Sequence, residues 1–246
     1  MNVAWLTPVW PVPGNVRAVA TLRVGGVSAG PYTSLNLGDH VGDVAGAVHV
    51  NRQRLMTGAD LPSKPLWLRQ VHGTRVADLD APGAEDGVAA DAGVTRERGR
   101  VCAILTADCL PVLLASETGD RVAAAHAGWR GLAAGIIEAT VSAMAVPPER
   151  VLAWLGPAIG PAHFEVGTEV RDALLAGDSG AVAAFLPNAR GRFMADLPAL
   201  ARRRLAALGI GRISGGGECT YAQSERFFSH RRDGVTGRQA TLIWLE

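Results

Sequence analysis

Three stretches near the middle of the chain are almost purely apolar: Val101 to Thr106, Val112 to Ala115 and Arg121 to His126. Their length and lack of helical periodicity predict strands. Ser116-Glu117-Thr118-Gly119 between the last two reads as a four-residue hairpin loop, which sets Ala115 against Asp120 and Cys109 opposite His126. Directly opposed residues share a face of the sheet, whereas a one-residue slip would separate them. Pro111 marks a strand end or bulge beside Cys109. Upstream, Val16 to Val24 reads as a strand leading to the turn Gly25-Gly26. Asp43 to Met56 reads as a helix, and Leu66 to Val71 as a strand that delivers His72 to the turn at Gly73. Downstream, Leu132 to Ala145 reads as one mostly buried helix stopped by Pro147-Pro148, and Val151 to Leu155 as a strand. Thr168 to Leu175 and Asp196 to Leu208 read as amphipathic helices, the second with an acidic cap, Pro198 in its first turn and Gly209 past its end. Arg212 to Ser214 and Ala240 to Leu245 complete the strands. Strands outnumber helices and often follow one another, which predicts a mixed α/β fold, a layered α/β sandwich with mixed β-sheets, over a doubly wound parallel sheet.

Composition narrows the picture further. Hydrophobic residues make up 48% and charged residues 19% of the 246 positions, so the core should be large. Glycine and proline are dispersed rather than gathered into a linker, and no repeat or low-complexity tract is present, so a single domain over residues 1–246 is expected. A net charge of +1 gives no overall field for nucleic acid or an anionic membrane. No apolar run approaches the ~18 residues of a membrane span. The first residues carry no basic region and are interrupted by Pro8, Pro11 and Pro13, unlike a secretory signal. Three cysteines without paired spacing, Cys102, Cys109 and Cys219, argue against a disulfide framework and for the cytoplasm.

His72, Cys109 and His126 each lie where a strand meets a turn, and together they form a candidate three-ligand metal site. Two imidazoles and a thiolate fill three corners of a tetrahedron and leave the fourth for water or substrate, the mark of a catalytic rather than a structural zinc. Their spacing matches no compact zinc finger, and taken singly each also reads as a structural residue. Asp108 precedes Cys109 and is a candidate ligand-orienting group or proton carrier, with a turn-forming role as the alternative. Behind His126, Gly128 and Gly131 free the backbone for close approach, and a helix N-terminus beside Arg130 suits an anion.

Several segments are similar to one known family: Arg69-Gln70-Val71-His72-Gly73, Thr106-Ala107-Asp108-Cys109-Leu110-Pro111-Val112 and His126-Ala127-Gly128-Trp129-Arg130-Gly131. So are Gly25-Gly26-Val27-Ser28 with Ser34-Leu35-Asn36-Leu37-Gly38, Trp154-Leu155-Gly156-Pro157-Ala158-Ile159-Gly160, and Cys219-Thr220-Tyr221 through Phe227-Phe228-Ser229 to Arg231-Arg232-Asp233. Across nearly its whole length the chain resembles the YfiH-type family, known as polyphenol oxidase-like (laccase-domain) proteins, purine nucleoside phosphorylases and peptidoglycan editing factors. The resemblance implies a fold like the CNF/YfiH-like cysteine hydrolases and related deamidating toxins. It implies Zn2+ on His72, Cys109 and His126, with Cu2+ as the other metal. It also implies phosphorolysis of adenosine, inosine, guanosine and S-methyl-5'-thioadenosine, and adenosine deamination. The partners are then a purine nucleoside and phosphate, with no nucleic acid or membrane, and the protein is expected to act as a monomer.

Chemistry orders these readings. A multicopper laccase needs about ten histidines, and six are present, which excludes one within a single chain. Copper-dependent phenol oxidation at one open Cys/His site stays compatible with the sequence. A hydrolase of peptidoglycan precursors would use Cys109 as nucleophile and His126 as base. A non-enzymatic binding module is the remaining class. Asp108, Cys109 and His126 are the candidate catalytic residues; Asn36, Arg69, Arg130, Cys219, Tyr221 and Arg231 are candidates for binding substrate, each with turn or packing roles as the alternative.

Overall fold

The computed structural model describes residues 3–246, which form two facing β-sheets with helices on both outer sides. The first sheet runs in the order β1 (Trp5–Leu6), β2 (Val16–Thr21), β14 (Gln239–Leu245), β6 (Val101–Thr106) and β3 (Leu66–Trp67). The second runs β13 (Arg212–Gly215), β9 (Val151–Leu155), β7 (Leu110–Ser116), β8 (Val122–Ala127), β5 (Ala92–Thr95) and β4 (Val76–Asp78). Both mix parallel and antiparallel pairs. A small sheet, β10 (Glu165–Val166), β12 (Phe193–Ala195) and β11 (Phe185–Pro187), stands apart from them.

The apolar runs are uninterrupted because both faces of the central strands are covered. Ala18, Ala20, Cys102, Ile104 and Ile243 of the first sheet meet Leu113, Ala115, Val122, Ala124 and Trp154 of the second. The outer face of the first sheet, with Val101, Ala103, Leu242 and Trp244, packs on Leu55 of α1 (Ala45–Gly58). The outer face of the second, with Val112, Leu114, Ala123 and Ala125, is covered by α2 (Trp129–Ala134), α3 (Ile136–Met144), α4 (Thr168–Ala176) and α5 (Leu197–Ala207). A short helix, α6 (His230–Asp233), precedes the last strand. Fully burying a side chain such as Ile136 or Leu113 contributes about 1.5–3 kcal/mol, and the alternation along β7 and β8 divides that burial between two cores.

Three sequence expectations change. The predicted helix over Leu132 to Ala145 is two helices, because Gly135 adopts φ +98 and ends α2 before α3 begins. The strand expected over Leu66 to Val71 leaves the sheet after Trp67; the Gln70 side chain then takes over, accepting from Leu105 N and donating to Leu105 O, both at 2.8 Å. The β7/β8 hairpin is closed one residue later than expected, with Ser116 N donating to Arg121 O at 2.9 Å. Ala115 therefore pairs with Val122, and His126 with Pro111 rather than with Cys109. The cause is Asp120, whose carboxylate accepts from the Ser116 and Thr118 hydroxyls, each at 2.6 Å, and so belongs to the turn. The resulting offset is two residues, an even number, so Cys109 and His126 stay on the same side of the sheet.

Replacing Asp120 with Ala should lower stability by about 1 kcal/mol in urea denaturation, since two hydroxyls lose their acceptor at an exposed turn. Metal content should not change; a loss of metal would mean that the far turn controls the site.

Candidate metal centre

Cys109, His126 and the loop carrying His72 meet at one end of the two sheets. The chain leaves β6 at Thr106 and crosses to β7 through Ala107, Asp108 and Cys109, with Asp108 at φ +94. His126 lies near the end of β8, and His72, at φ +61, sits on the loop after β3. A left-handed backbone costs a residue other than glycine about 1–3 kcal/mol, so both segments must be held by bonds made elsewhere.

For His72 the holder is Asp91, a residue overlooked in the sequence. Its fully buried carboxylate accepts from the backbone N–H of Val71 (3.2 Å), His72 (2.8 Å) and Gly73 (2.7 Å), and from His126 Nδ1 at 2.9 Å. Burial alone would raise its pKa, but the hydrogen bonds from His126 and the loop outweigh this and hold it below the usual carboxylate range. Donation from Nδ1 leaves His126 Nε2 free to act as a ligand. The available signal was a lone acid in the apolar run Val88 to Val94.

The ligand atoms of His72, Cys109 and His126 lie within 4.8 Å of one another, and among the described residues they are the one such group of metal-binding side chains. Cys109 Sγ is 4.0 Å from His72 Nε2, and the two imidazoles meet edge to face at 4.7 Å. Ligands of a tetrahedral zinc with bonds of ~2.0–2.3 Å stand about 3.3–3.8 Å apart. The donor set and its spacing thus fit an ion after a small contraction. Burial falls across the triad from His126 (buried) through Cys109 to His72 (exposed), which leaves one side of the centre open. Burial pushes the Cys109 thiol up, but the charges and hydrogen bonds of His126 and His72 outweigh it and bring the thiol down to about 6. Burial likewise opposes charge on His126, while Cys109 and Asp91 raise it to about 9. In the metal-free protein the pair is therefore a thiolate beside an imidazolium, ready to exchange its proton for a metal.

Gly128 shows how tightly the next element is seated. A Cβ there would come within 2.9 Å of Cys109 Sγ and 3.3 Å of His72 Cδ2, so only glycine lets α2 begin against the sulfur.

The other predicted residues fall into two groups. Asp108, Cys219, Tyr221 and Arg231 form a wall beside Cys109. Asp108 accepts from Thr220 Oγ1 (2.7 Å) and from the backbone N–H of Arg231 (2.6 Å), so both carboxylate oxygens face the wall rather than the triad. Cys219 Sγ accepts from Gly160 N at 3.2 Å and Ala222 N at 3.4 Å. Tyr221 stacks on His163 at 4.4 Å, and Arg231 donates to Glu165 O at 2.8 Å. Asn36, Arg69 and Arg130 are not gathered into this wall. Asn36 is fully buried and spends its amide on Gly38, Asp43 and Arg238. Arg69 is exposed on the His72 loop, and Arg130 is exposed with its guanidinium 4.4 Å from its neighbour Trp129. The sequence reading also missed Arg238, a half-buried arginine whose pKa burial lowers and which lies within electrostatic reach of Cys109 and Asp108.

The fold and the triad define a layered mixed α/β protein with an open two-histidine, one-cysteine centre where two sheets meet. The chain belongs to the YfiH-type laccase-like family: the family profile described as "Multi-copper polyphenol oxidoreductase laccase" matches residues 17–246. It is 54% identical over 241 residues to a protein named purine nucleoside phosphorylase YfiH from Escherichia coli (strain K12), covering 98% of each. It is 54% identical over 244 residues to a purine nucleoside phosphorylase from Pseudomonas aeruginosa, covering 99% of each. A crystal structure of a Neisseria meningitidis protein superposes with a TM-score of 0.93 at 48% identity, covering 98% of this chain and 99% of that one. The Bacillus licheniformis YfiH structure gives 0.88 at 30% identity, covering 94% and 93%.

Two outcomes follow from this geometry. Asp91→Asn should weaken metal binding 10–100-fold in chelator competition, because the amide keeps only one acceptor oxygen and no charge, and its NH2 faces donors that need an acceptor; unchanged affinity would remove Asp91 from the site. In metal-free protein, the rate of iodoacetamide labelling at Cys109, read by mass spectrometry, should rise with pH to half its maximum near pH 6. A half-maximum in the ~8–9 range of a free thiol would show that the histidines do not hold the thiolate.

Proposed function

We propose that the protein is a zinc-dependent purine nucleoside phosphorylase that cleaves adenosine, inosine, guanosine and S-methyl-5'-thioadenosine with phosphate. The products are the free base and ribose 1-phosphate, or its methylthio counterpart. The observation that carries this reading is the triad with one open side, supported by the names of close relatives that align over nearly the whole chain. Among the described residues no helix is long and apolar enough to cross a membrane. We place the reaction in the cytoplasm.

His72, Cys109 and His126 would hold the ion. When bound, the metal supplies a Lewis acid and a site for an activated water or phosphate oxygen. The remaining work belongs to this chain. Asp91 holds both histidines in place, and Asp108 acts as a positioning residue that fastens the wall of Thr220, Tyr221 and Arg231 beside Cys109. Arg130, at the start of α2 behind the triad, supplies positive charge for phosphate, and Arg238 adds more beside Cys109. The same open side would admit water to C6 of adenosine, and the proposal therefore includes adenosine deamination.

The Cys109 thiol near 6 favours one second reading, a cysteine-dependent amidase acting on peptidoglycan precursors, with Cys109 as nucleophile and His126 as base. Stoichiometric zinc on Cys109 would occupy the thiolate and count against it.

The deciding experiment incubates zinc-quantified protein with adenosine, with and without phosphate, and follows adenine and inosine separately. Adenine should appear only with phosphate and disappear when the metal is removed, and Arg130→Ala should raise the KM for phosphate more than that for nucleoside. Absence of adenine in every arm would reject the phosphorylase reading; inosine formed without phosphate would establish the deaminase.

A further inference from the structure

Away from the triad, a cavity of about 420 Å3 opens between the Asp39-His40 loop, Arg52 of α1 and the segment Trp67 to Gln70. The acids on its wall are already engaged. Asp39 pairs with Arg52 at 3.2 Å and with His40 at 3.5 Å, while Asp86 takes the Lys64 ammonium and the Trp67 backbone N–H. Three donors lack a hydrogen-bond partner, the first being Arg52 Nη2, which is buried and has only its ion-pair contact with Asp39. Trp67 is only 4% exposed, yet its indole N–H has no hydrogen-bond partner. The Arg52 guanidinium lies over its ring, 4.4 Å from the centre. Arg69 lines the same cavity, and among the described residues its guanidinium makes no hydrogen bond or ion pair. A buried N–H without a partner is uncommon in a native protein and calls for an acceptor. The unpartnered buried side-chain atoms on this wall, Arg52 Nη2 and the Trp67 indole nitrogen, are both donors, and Arg69 adds a guanidinium, the group best shaped for phosphate oxygens.

We propose that this cavity is an oxyanion site that binds a phosphate group, through the Trp67 indole N–H and the Arg69 guanidinium, with Arg52 as its cationic wall. The phosphate is either free orthophosphate or the monoester of a nucleotide; the volume exceeds that of the bare ion and leaves room for the remainder of a larger ligand. The site is distinct from the metal centre, although Gln70 on its rim lies two residues from His72. The proposal does not rest on the phosphorylase reading.

Its test reads the site itself. In 15N-labelled protein, the indole N–H resonance that disappears in Trp67→Phe identifies Trp67 among the six tryptophans. That resonance is followed during titration with orthophosphate, with AMP, and with acetate or chloride at matched ionic strength. It should shift and saturate with orthophosphate or AMP, and the tighter of the two identifies the source of the phosphate. In Arg69→Ala, an exposed position where the fold should be unaffected, the same shift should require at least tenfold more ligand. A resonance that stays still in both phosphate titrations, moves equally with acetate, or saturates at the same concentration in Arg69→Ala would overturn the proposal. Because binding is read directly, loss of nucleoside cleavage in the preceding experiment would leave this result unaffected.

Discussion

The carboxylate of Asp91 is the constraint on which the site depends. A charge buried this completely is costly unless donors surround it, and four donors do: three successive backbone amides and one imidazole. The three amides can converge on one carboxylate only if His72 takes its left-handed backbone, which projects that side chain toward Cys109. The fourth bond fixes the proton of His126. One group thus sets the position of one ligand and the tautomer of another, and it stands directly before β5, bonded to β8 through its own carbonyl at 2.7 Å. The two sheets supply the rigidity that lets this strained arrangement persist.

Much of the fold was legible because burial on two faces leaves an unambiguous mark. Val101 to Thr106 and Val151 to Leu155 are strands over those same residues, and α5 begins at its Asp196 cap, whose carboxylate accepts from Ala199 N at 2.9 Å. Elements defined by partners instead of pattern were invisible. β4, β5 and the three short strands from Glu165 to Ala195 carry too few residues for a period to show, and Gln70 completes a sheet edge with a side chain. The triad was legible as residue types at strand ends. The hairpin register misplaced Cys109 by two positions, yet the face it implied survives because side chains alternate with a period of two. Asp91 was not legible: a single acid among alanines means nothing until the loop that it collects is in view.

The family profile is named for oxidation and the close relatives for phosphorolysis, and the donor set of this centre is compatible with more than one chemistry. A thiolate and two imidazoles accept copper as readily as zinc by donor type. The same thiolate, left without metal, resembles the activated cysteine of a hydrolase. What occupies these three donors would then choose among the chemistries, more than the fold that presents them.

The graded burial of the triad has a kinetic meaning. His126 lies deepest, Cys109 is half-buried and His72 stands at the solvent edge. A reagent arriving from solvent would therefore reach His72 first, Cys109 next and His126 last. The half-buried sulfur is thus within reach of solvent, while the imidazole bonded to Asp91 is shielded from it.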